Sequence, residues 1–373
     1  MEDTRINLLD LSFVELTELV VEWGLPRFRA AQIWKWLYAS LCDEMTEMTN
    51  LPKAFRQDLA ATAYITRLHV VERRDSGRGK AAKFLFDVGD GLQVEAVLIR
   101  EAGRRTACLS SQVGCPLDCR FCATGRMGFR RNLSASQIID QLHHIRAAAA
   151  ESDERVSNVV MMGMGEPLIN YDNVVRALRL MRLEDGPAVG GRRITVSTAG
   201  YLPGIRRLAD DDLNVGLAIS LNATTDEVRS RIMPINRKYP IASLLDAASE
   251  YFDKRGRRVT FEYVLLDGIT DADEDAARLA DLTRPVPCKI NLIPYNELGD
   301  HVPAGDGSHA EFRRPPRERV LRFEQVLTAR TQRTVTLRDS QGRDIDAACG
   351  QLYHRARSRR AAAAGGAGEP GGR

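Results

Sequence analysis

The chain contains 373 residues, of which 44% are hydrophobic, and it carries a formal net charge of +3 at pH 7. This length allows one large domain and a smaller one with a packed core, and so small a net charge does not by itself indicate a nucleic-acid partner. The sequence begins without a basic and then apolar leader and contains no run of about 18 apolar residues, so neither export nor a membrane span is expected.

Residues 1–85 are predicted to form a mostly helical N-terminal domain, followed by a β-hairpin extension over residues 86–104. Asp90-Gly91 is a hairpin turn signal that separates two apolar runs. Residues 354–373, at the other end, are rich in Gly, Ala and Arg. Such a segment cannot bury enough apolar surface to become ordered, so a disordered tail is expected.

Residues 105–353 alternate strand and helix patterns, which predicts an α/β core domain. The strand segments are continuous apolar or β-branched runs, as expected for a parallel sheet that is buried on both faces. Six or more strand–helix units with right-handed crossovers favour a full or partial barrel over an open sheet. In such barrels the functional residues follow the carboxyl ends of the strands.

Three of the seven cysteines, Cys115, Cys119 and Cys122, fall in one short loop directly after the first strand of this core. The spacing C-x3-C-x2-C predicts an iron–sulfur cluster held by three thiolates, which leaves one iron open to a small molecule. Structural zinc with Cys108 as fourth ligand is the alternative, although zinc sites usually pair two short Cys-x2-Cys elements. Reduced thiols in a chain without an export signal favour a cytoplasmic protein over a disulfide scaffold.

The same cysteine spacing is the signature of radical S-adenosylmethionine (SAM) enzymes, in which the open iron of a [4Fe-4S] cluster binds SAM. Longer segments resemble the RlmN/Cfr family of radical SAM RNA methyltransferases, from about Val94 to Leu352 and more loosely before that. These segments are "CLSSQVGCPLDCRFCATGRMGFRRNLSASQII", "NVVMMGMGEPLINYDNV", "RRITVSTAG", "LAISLNA", "PINRKYPI", "CKINLIPYN" and "DIDAACGQL". The resemblance implies a partial (βα)6 radical SAM barrel, with an N-terminal helical accessory domain that contacts RNA.

By this resemblance, residues at the ends of successive strands bind SAM. Gly165 lets the backbone approach the ligand closely, and Glu166 receives the amino group of SAM. The remaining implied contacts are Ser197, Ser220, Leu221, Asn222 and Asn296. Asn222 departs from the family pattern, which often has His there, so a role that needs a titrating imidazole is excluded. Without the resemblance, capping of a strand end explains Ser197, Ser220, Leu221, Asn222 and Asn296 about as well.

The resemblance also assigns three catalytic residues. Cys349 is the cysteine that carries the methyl group, Cys108 is its resolving partner, and Glu95 is the base that removes a proton. From the residues alone, free buried thiols are the preferred interpretation of Cys349 and Cys108, and Cys42 and Cys288 are predicted to be core cysteines. A carboxylate on a largely apolar strand face, such as Glu95, is expected to have a raised pKa.

The implied reaction is methylation of C2 of adenosine in 23S rRNA and tRNA, with two SAM molecules per turnover. One SAM methylates Cys349, and radical chemistry from the second joins that methyl carbon to adenine. Cys108 then forms a disulfide with Cys349 and releases the product, and an electron donor such as flavodoxin or ferredoxin supplies the electrons. A monomer without membrane partners is expected.

Three alternatives stay open at this point. The first is methylation of C8 of an rRNA adenosine by the same machinery, and the second is a radical SAM activase that acts on a protein partner. The third is a non-enzymatic iron–sulfur or zinc RNA-binding module, which predicts four protein ligands. Basic segments give supporting signals for RNA: Arg126, Arg130, Arg131, Arg192, Arg193, "KRGRR" and "RRPPRER".

Overall fold

The computed structural model of the protein describes residues 5–183, 186–299, 302, 312–338 and 340–353. These residues begin with three helices between two short paired strands. They are β1 (Ile6–Asn7), α1 (Phe13–Glu22), α2 (Phe28–Tyr38), α3 (Lys53–Thr62) and β2 (Ala63–Tyr64). Helix α1 begins after Ser12, whose side chain and that of Glu15 satisfy each other's backbone N–H groups in a capping box.

Three antiparallel strands follow, and they correct the predicted boundaries. They are β3 (His69–Asp75), β4 (Ala81–Asp87) and β5 (Gln93–Glu101). Asp90 and Gly91 both have positive φ in the tight turn between β4 and β5, as their residue types predict. The hairpin therefore begins before residue 86, and β3 and most of β4 lie in the region predicted to be helical. Strand β3 is exposed and rich in charged residues, so its sequence lacks the alternation of apolar and polar residues from which a strand is predicted. The division into domains remains a prediction.

The rest of the described chain alternates strands and helices. Its strands are β6 (Arg104–Cys108), β7 (Gln112–Val113), β8 (Arg131–Asn132), β9 (Asn158–Met161), β10 (Ile194–Thr198), β11 (Gly216–Ser220), β12 (Val259–Leu265), β13 (Cys288–Pro294) and β14 (Thr334–Leu337). Its helices are α4 (Ala123–Arg126), α5 (Ala135–Ala150), α6 (Tyr171–Arg182), α7 (Leu202–Asp210), α8 (Asp226–Ile232), α9 (Ile241–Arg255), α10 (Asp273–Thr283) and α11 (Arg317–Arg330).

Of the fourteen strands in the described residues, ten form one large sheet in the order β14-β13-β12-β11-β10-β9-β6-β5-β4-β3. The two-residue strands β1 and β2 pair with each other, as do β7 and β8. From β6 to β14 the neighbours are parallel and follow chain order, with at least one helix between each pair. Winding in one direction with six such crossovers is the arrangement of a partial (βα)6 barrel, and the prediction of this fold class is confirmed. The sheet is not closed in the described residues, since β14 and β3 are its edges.

Side chains alternate between the two faces of the parallel strands, which sets the character of the barrel interior. In β10, Ile194 and Val196 are buried in the apolar core, whereas Thr195 and Ser197 line cavities inside the curve of the sheet. The interior is therefore polar and open rather than packed with branched apolar residues.

None of the helices in the described ranges is long and apolar enough to cross a membrane. The predicted disordered tail, residues 354–373, lies outside the described residues.

Candidate active site

The loop that carries the three cysteines is built around two glycines. Gly114 has φ +72°, and a Cβ there would lie 1.7 Å from the carbonyl oxygen of Gly128. A Cβ on Gly125 would lie 2.8 Å from the carbonyl oxygen of Cys119. Only glycine fits at these two places, so the close approach of backbone segments determines the shape of the loop.

The thiols of Cys115, Cys119 and Cys122 line one cavity at the carboxyl end of the parallel strands, and all three are free. Burial raises the pKa of each thiol, and repulsion from neighbouring thiolates adds to the increase at Cys115 and Cys119. The guanidinium of Arg229 opposes that increase at Cys119. Three thiolates are stable here only if positive charge joins them, which is the electrostatic property of a metal-cluster site.

Glu166 follows β9 and lies in the wall of the same cavity, next to Gly165. Gly165 has φ +100°, and a Cβ there would lie 2.5 Å from Cβ of Gln112. The carboxylate of Glu166 accepts hydrogen bonds from the backbone N–H of Ala199 at 2.8 Å and of Leu168 at 3.1 Å. Burial nevertheless raises its pKa to about 7, so the site favours a cation close to this carboxylate.

The other predicted SAM contacts are distributed around this cavity with one exception. Ser197, Ser220 and Asn222 line it, whereas Leu221 is fully buried behind its wall. Asn222 adopts φ +57°, and its side-chain oxygen accepts a hydrogen bond from the backbone of Val264 at 3.0 Å. Its amide therefore holds two strand ends together, in a left-handed conformation that Asn tolerates.

Asn296 links the cavity to the loop that contains Cys349. Its side-chain nitrogen donates to the carbonyl oxygen of Cys349 at 3.1 Å and to the hydroxyl of Ser340 at 3.2 Å. Its side-chain oxygen is buried, and no group in the described residues bonds to it. A buried acceptor without a donor indicates that a ligand group completes the site.

Cys349 lies between two cavities. It lines the cavity of the three cysteines and also a small second cavity, which it shares with Cys108. Cys108 ends β6, where it pairs with Val97 on one side and Val160 on the other. This register points its side chain into the barrel interior, toward the loop after β14. Both thiols are free in this structure.

Arg338 and Glu262 surround these two thiols, and the sequence analysis did not identify either one. The guanidinium of Arg338 interacts with the Cys349 sulfur, Glu262 and the Cys108 sulfur, which raises its pKa. Its Nη1 lies 3.9 Å from Oε1 of Glu262, a distance too long for a hydrogen bond. Burial raises the pKa of Glu262. A carboxylate inside the apolar strand "VTFEYVL" was the available signal for Glu262, and an arginine at a strand end was the signal for Arg338.

Glu95 lies outside both cavities. Its carboxylate forms a buried ion pair with Lys83, at 2.9 Å, and accepts a hydrogen bond from the backbone N–H of Tyr353 at 3.0 Å. Burial raises its pKa, and the ammonium group of Lys83 opposes that effect. Glu95 therefore anchors the segment that follows Cys349, and its role as a base remains a prediction.

Comparisons with known proteins agree with one another over most of the chain. A model of the Radical SAM superfamily matches residues 109–280, and a model of the ribosomal RNA large subunit methyltransferase N-terminal domain matches residues 6–65. The dual-specificity RNA methyltransferase RlmN of Geobacter sulfurreducens is 47% identical over 94% of this chain and 92% of its own length. RlmN of Pelobacter propionicus is 45% identical over 93% of this chain and 96% of its own length. The chain belongs to the RlmN family of radical SAM RNA methyltransferases.

The fold also agrees with that of a solved radical SAM methyltransferase. The crystal structure of a radical SAM methyltransferase from Sphaerobacter thermophilus superposes with a TM-score of 0.88 at 46% identity. It covers 94% of this chain and 99% of its own. The agreement spans the N-terminal helices as well as the barrel.

RlmN family members use a [4Fe-4S] cluster and SAM, and the residues present fit both. Three half-buried thiols that form no disulfide in the described residues and line one cavity suit a cluster with one open iron. The described residues contain no group of three or more His, Cys, Asp or Glu side chains arranged to hold a single metal ion, so structural zinc gains no support. A four-iron cluster is wider than one ion and takes ligands that stand further apart. The carboxylate of Glu166 and the free acceptor of Asn296 suit the amino and adenine groups of SAM.

Proposed function

We propose that this RlmN family member methylates C2 of adenosine in 23S rRNA and in tRNA, and that Cys349 carries the methyl group. The observation that carries the proposal is the position of Cys349 in the wall between the cysteine-lined cavity and the cavity of Cys108. A carrier must meet the methyl donor on one side and the resolving thiol and substrate on the other. The relatives' dual-specificity names support the pair of RNA substrates.

Different residues of the chain have different roles in the proposed reaction. Cys115, Cys119 and Cys122 hold the cluster, and Gly165, Glu166, Ser197, Ser220, Asn222 and Asn296 hold SAM, with Leu221 supporting the wall behind them. Cluster-bound SAM supplies radical chemistry, which suits adenine C2 because that carbon is not nucleophilic. The thiolate of Cys349 accepts a methyl group from SAM by direct displacement. The guanidinium of Arg338 interacts with the Cys349 sulfur.

Cys108 completes the cycle. The adduct that forms when the methyl carbon bonds to adenine gives back the one electron that cleavage of SAM consumes and loses the proton of C2. The Cys108 thiolate then attacks the sulfur of Cys349, which forms the S–S bond and breaks the bond between sulfur and carbon. The carbon keeps that electron pair and takes up a proton, which completes the methyl group. Glu95 is the proposed acceptor of the proton that leaves C2. An external reductant supplies two electrons and two protons, which return both cysteines to thiols, and an electron donor such as flavodoxin or ferredoxin is the proposed protein partner. The enzyme is proposed to act as a cytoplasmic monomer.

Nucleoside mass spectrometry on separated rRNA and tRNA tests the product. Cells that lack the gene are expected to lose 2-methyladenosine from both pools. Loss of 8-methyladenosine instead would contradict the C2 assignment but keep the carrier chemistry. No change in any methyladenosine would contradict an adenosine product.

Variants of single cysteines test the carrier. Cys108→Ala is expected to remain covalently attached to RNA, because the adduct forms but cannot be resolved. Cys349→Ala is expected to give neither adduct nor product. Cys288→Ala is the matched control, since Cys288 is a buried thiol that lines neither cavity. A Cys108→Ala protein that turns over normally would exclude the resolving role.

A further inference from the structure

The last step of the proposed cycle requires two proton transfers that the cysteines cannot perform alone. Cys108 must lose its thiol proton for its sulfur to attack Cys349, and the carbon that leaves Cys349 must gain a proton. Burial raises the pKa of the Cys108 thiol to about 12, so this thiol holds its proton at neutral pH. The step therefore needs a base close to Cys108 and an acid close to the leaving carbon.

Three carboxyl groups in the described part of the chain line the two cavities that Cys349 borders. Glu166 and Glu262 line the larger cavity, and Glu101 lines the small one. Both carboxylate oxygens of Glu166 already accept hydrogen bonds from backbone N–H groups. The side chain of Glu101 is 32% exposed and pairs with Arg104. Glu262 is the remaining candidate.

Glu262 lies in the middle of the sheet, on β12. It pairs with Ser220 of β11 on one side and with Asn291 of β13 on the other. Its neighbours Phe261 and Tyr263 are buried in the apolar core, so the alternation of side chains along the strand turns Glu262 to the inside of the barrel. The carboxyl group is buried there and lines the cavity that contains Cys349.

One oxygen of this carboxyl group is unused. Oε2 accepts a hydrogen bond from the hydroxyl of Ser197 at 3.4 Å, whereas Oε1 is buried and no group in the described residues bonds to it. The guanidinium of Arg338 lies 3.9 Å from Oε1, which is too far for a hydrogen bond. A buried polar atom without a partner requires an explanation, and a site that accepts and releases a proton provides one.

Charge links Glu262 to both thiols. The carboxylate of Glu262 contributes to the raised pKa of Cys108, and the guanidinium of Arg338 opposes that effect. The same guanidinium interacts with the sulfur of Cys349. A proton that moves from Cys108 to Glu262 therefore leaves the new thiolate near a cation and removes the negative charge that repels it.

We propose that Glu262 carries the proton of the Cys108 thiol to the carbon that leaves Cys349. The carboxylate takes the thiol proton as the Cys108 sulfur attacks, the S–S bond forms, and the bond between sulfur and carbon breaks with its electron pair on carbon. The carboxyl group then gives the proton to that carbon and becomes a carboxylate again. No proton is gained or lost overall, and the two sulfurs are oxidised as the carbon is reduced.

This inference rests on the proposed function, because it needs Cys349 as the methyl carrier. It gives Glu262 a role separate from that of Glu95, which is proposed to take the proton of C2. Glu95 pairs with Lys83 outside both cavities, whereas Glu262 and Cys349 line the same one. The two variants should therefore stop the reaction at different adducts. The adduct keeps its hydrogen at C2 when Glu95 is missing and has already lost it when Glu262 is missing.

The test is a single turnover of Glu262→Gln on a tRNA transcript whose adenosines carry deuterium at C2. The enzyme is loaded with its cluster and methylated at Cys349 beforehand. Glu250→Gln is the matched control, because this carboxyl group belongs to α9 and is 43% exposed. Cys108→Ala and Glu95→Gln supply the two reference adducts.

Glu262→Gln is expected to release product at least about a hundredfold more slowly than the parent, the usual contribution of a positioned acid or base. A covalent adduct between Cys349 and RNA should accumulate, and its mass should show that the deuterium has been lost, as in Cys108→Ala. Iron content, SAM cleavage and methylation of Cys349 are expected to match those of Glu250→Gln. Raising the pH from about 7 to about 9 should speed release from Glu262→Gln, because solvent then deprotonates Cys108. A purely structural role would not give this recovery.

Release from Glu262→Gln at the parent rate would overturn the proposal. Deuterium retained in its adduct would also overturn it, since Glu262 would then act on the proton of C2. Loss of SAM cleavage or of Cys349 methylation would overturn it in favour of a SAM-binding role. An adduct in Cys108→Ala with none in Glu262→Gln would reject this inference alone. Absence of an adduct from Cys108→Ala would reject the carrier function itself, and the inference with it.

Discussion

Ala123, the residue after the last cluster cysteine, donates its backbone N–H to the carbonyl oxygen of Gly350, which follows Cys349, at 2.8 Å. The hydroxyl of neighbouring Thr124 donates to the carbonyl oxygen of Leu352 at 2.7 Å. These two bonds fasten the loop that contains Cys349 to the loop that contains Cys115, Cys119 and Cys122. The position of the Cys349 sulfur relative to the proposed SAM site therefore depends on hydrogen bonds between segments that are distant in sequence.

Replacing Thr124 by Val tests this connection. The change keeps the side-chain shape but leaves the buried Leu352 carbonyl without its donor, which costs about 1–3 kcal/mol. We expect a lower thermal midpoint, full iron content and reduced methylation of Cys349. Thr62→Val is the control, because Thr62 is exposed on α3 and bonds only within its own helix. Equal effects of the two variants on Cys349 methylation would contradict a positioning role for Thr124.

Gly114→Ala is expected to abolish cluster binding. The new Cβ would overlap the carbonyl oxygen of Gly128, and the positive φ adds strain of about 1–2 kcal/mol. Gly79→Ala separates the two effects, since Gly79 also has positive φ but nothing lies within 4 Å of a Cβ there. Iron content and absorbance of the reconstituted proteins are the measurements. We expect Gly79→Ala to retain its iron with a small loss of stability, and a full cluster in Gly114→Ala would contradict the explanation.

Arg338→Met is expected to slow the reaction of Cys349 with iodoacetamide at about pH 7.5, because the charged guanidinium that interacts with the Cys349 sulfur is lost. Arg338→Lys should recover part of the rate, since it restores the charge without the planar fork. Arg330→Met, at the exposed end of α11, is the control for loss of one charge. Unchanged alkylation in Arg338→Met, measured by peptide mass spectrometry, would exclude the electrostatic role.

Because burial raises the pKa of Glu166, we expect the stability of the protein to depend on pH. The pKa of Glu166 is about 7 in the folded protein, above the value near 4.5 of an exposed glutamate, so the folded state holds its proton longer than the unfolded chain. As pH rises from about 4.5 to about 7, this group lowers the free energy of unfolding, by up to about 3 kcal/mol. Glu166→Gln should lack the decrease. Urea unfolding of both proteins without cluster or SAM at pH 5 and pH 8 measures the difference, and parallel pH profiles would contradict it.

Because Lys83 and Glu95 form a buried ion pair, we expect substitutions at these two positions to change the free energy of unfolding non-additively. Lys83→Met leaves a buried carboxylate without its cation and should cost about 3–5 kcal/mol, most of which the double variant Lys83→Met/Glu95→Gln should recover. Additive losses in denaturant unfolding would show that the pair is not coupled.

Glu95→Gln alone also tests the proposed base, because a missing proton acceptor should make the RNA adduct accumulate even with Cys108 intact.

The sequence by itself determined the features that depend on short spacing. Cys115, Cys119 and Cys122 lie in one loop, so their spacing alone indicated a shared ligand, and strand periodicity indicated the parallel barrel because it reports burial on both faces. Asp90-Gly91 indicated its turn for the same local reason. The exposed strand β3 was not predictable in this way, since its charged residues are held in place by pairing with β4 rather than by burial.

Only the tertiary structure decided which distant residues meet. Strand order and register bring Cys108, Arg338 and Glu262 around Cys349. They also place Glu95 outside the cavities, in an ion pair with Lys83, and Leu221 behind the cavity wall. They also bring Arg192, Arg193, Arg258 and Lys289 together around one cavity. A one-residue change of register would turn each of these side chains to the opposite face. No local pattern contains that information, because it arises from the pairing of segments that lie far apart in the chain.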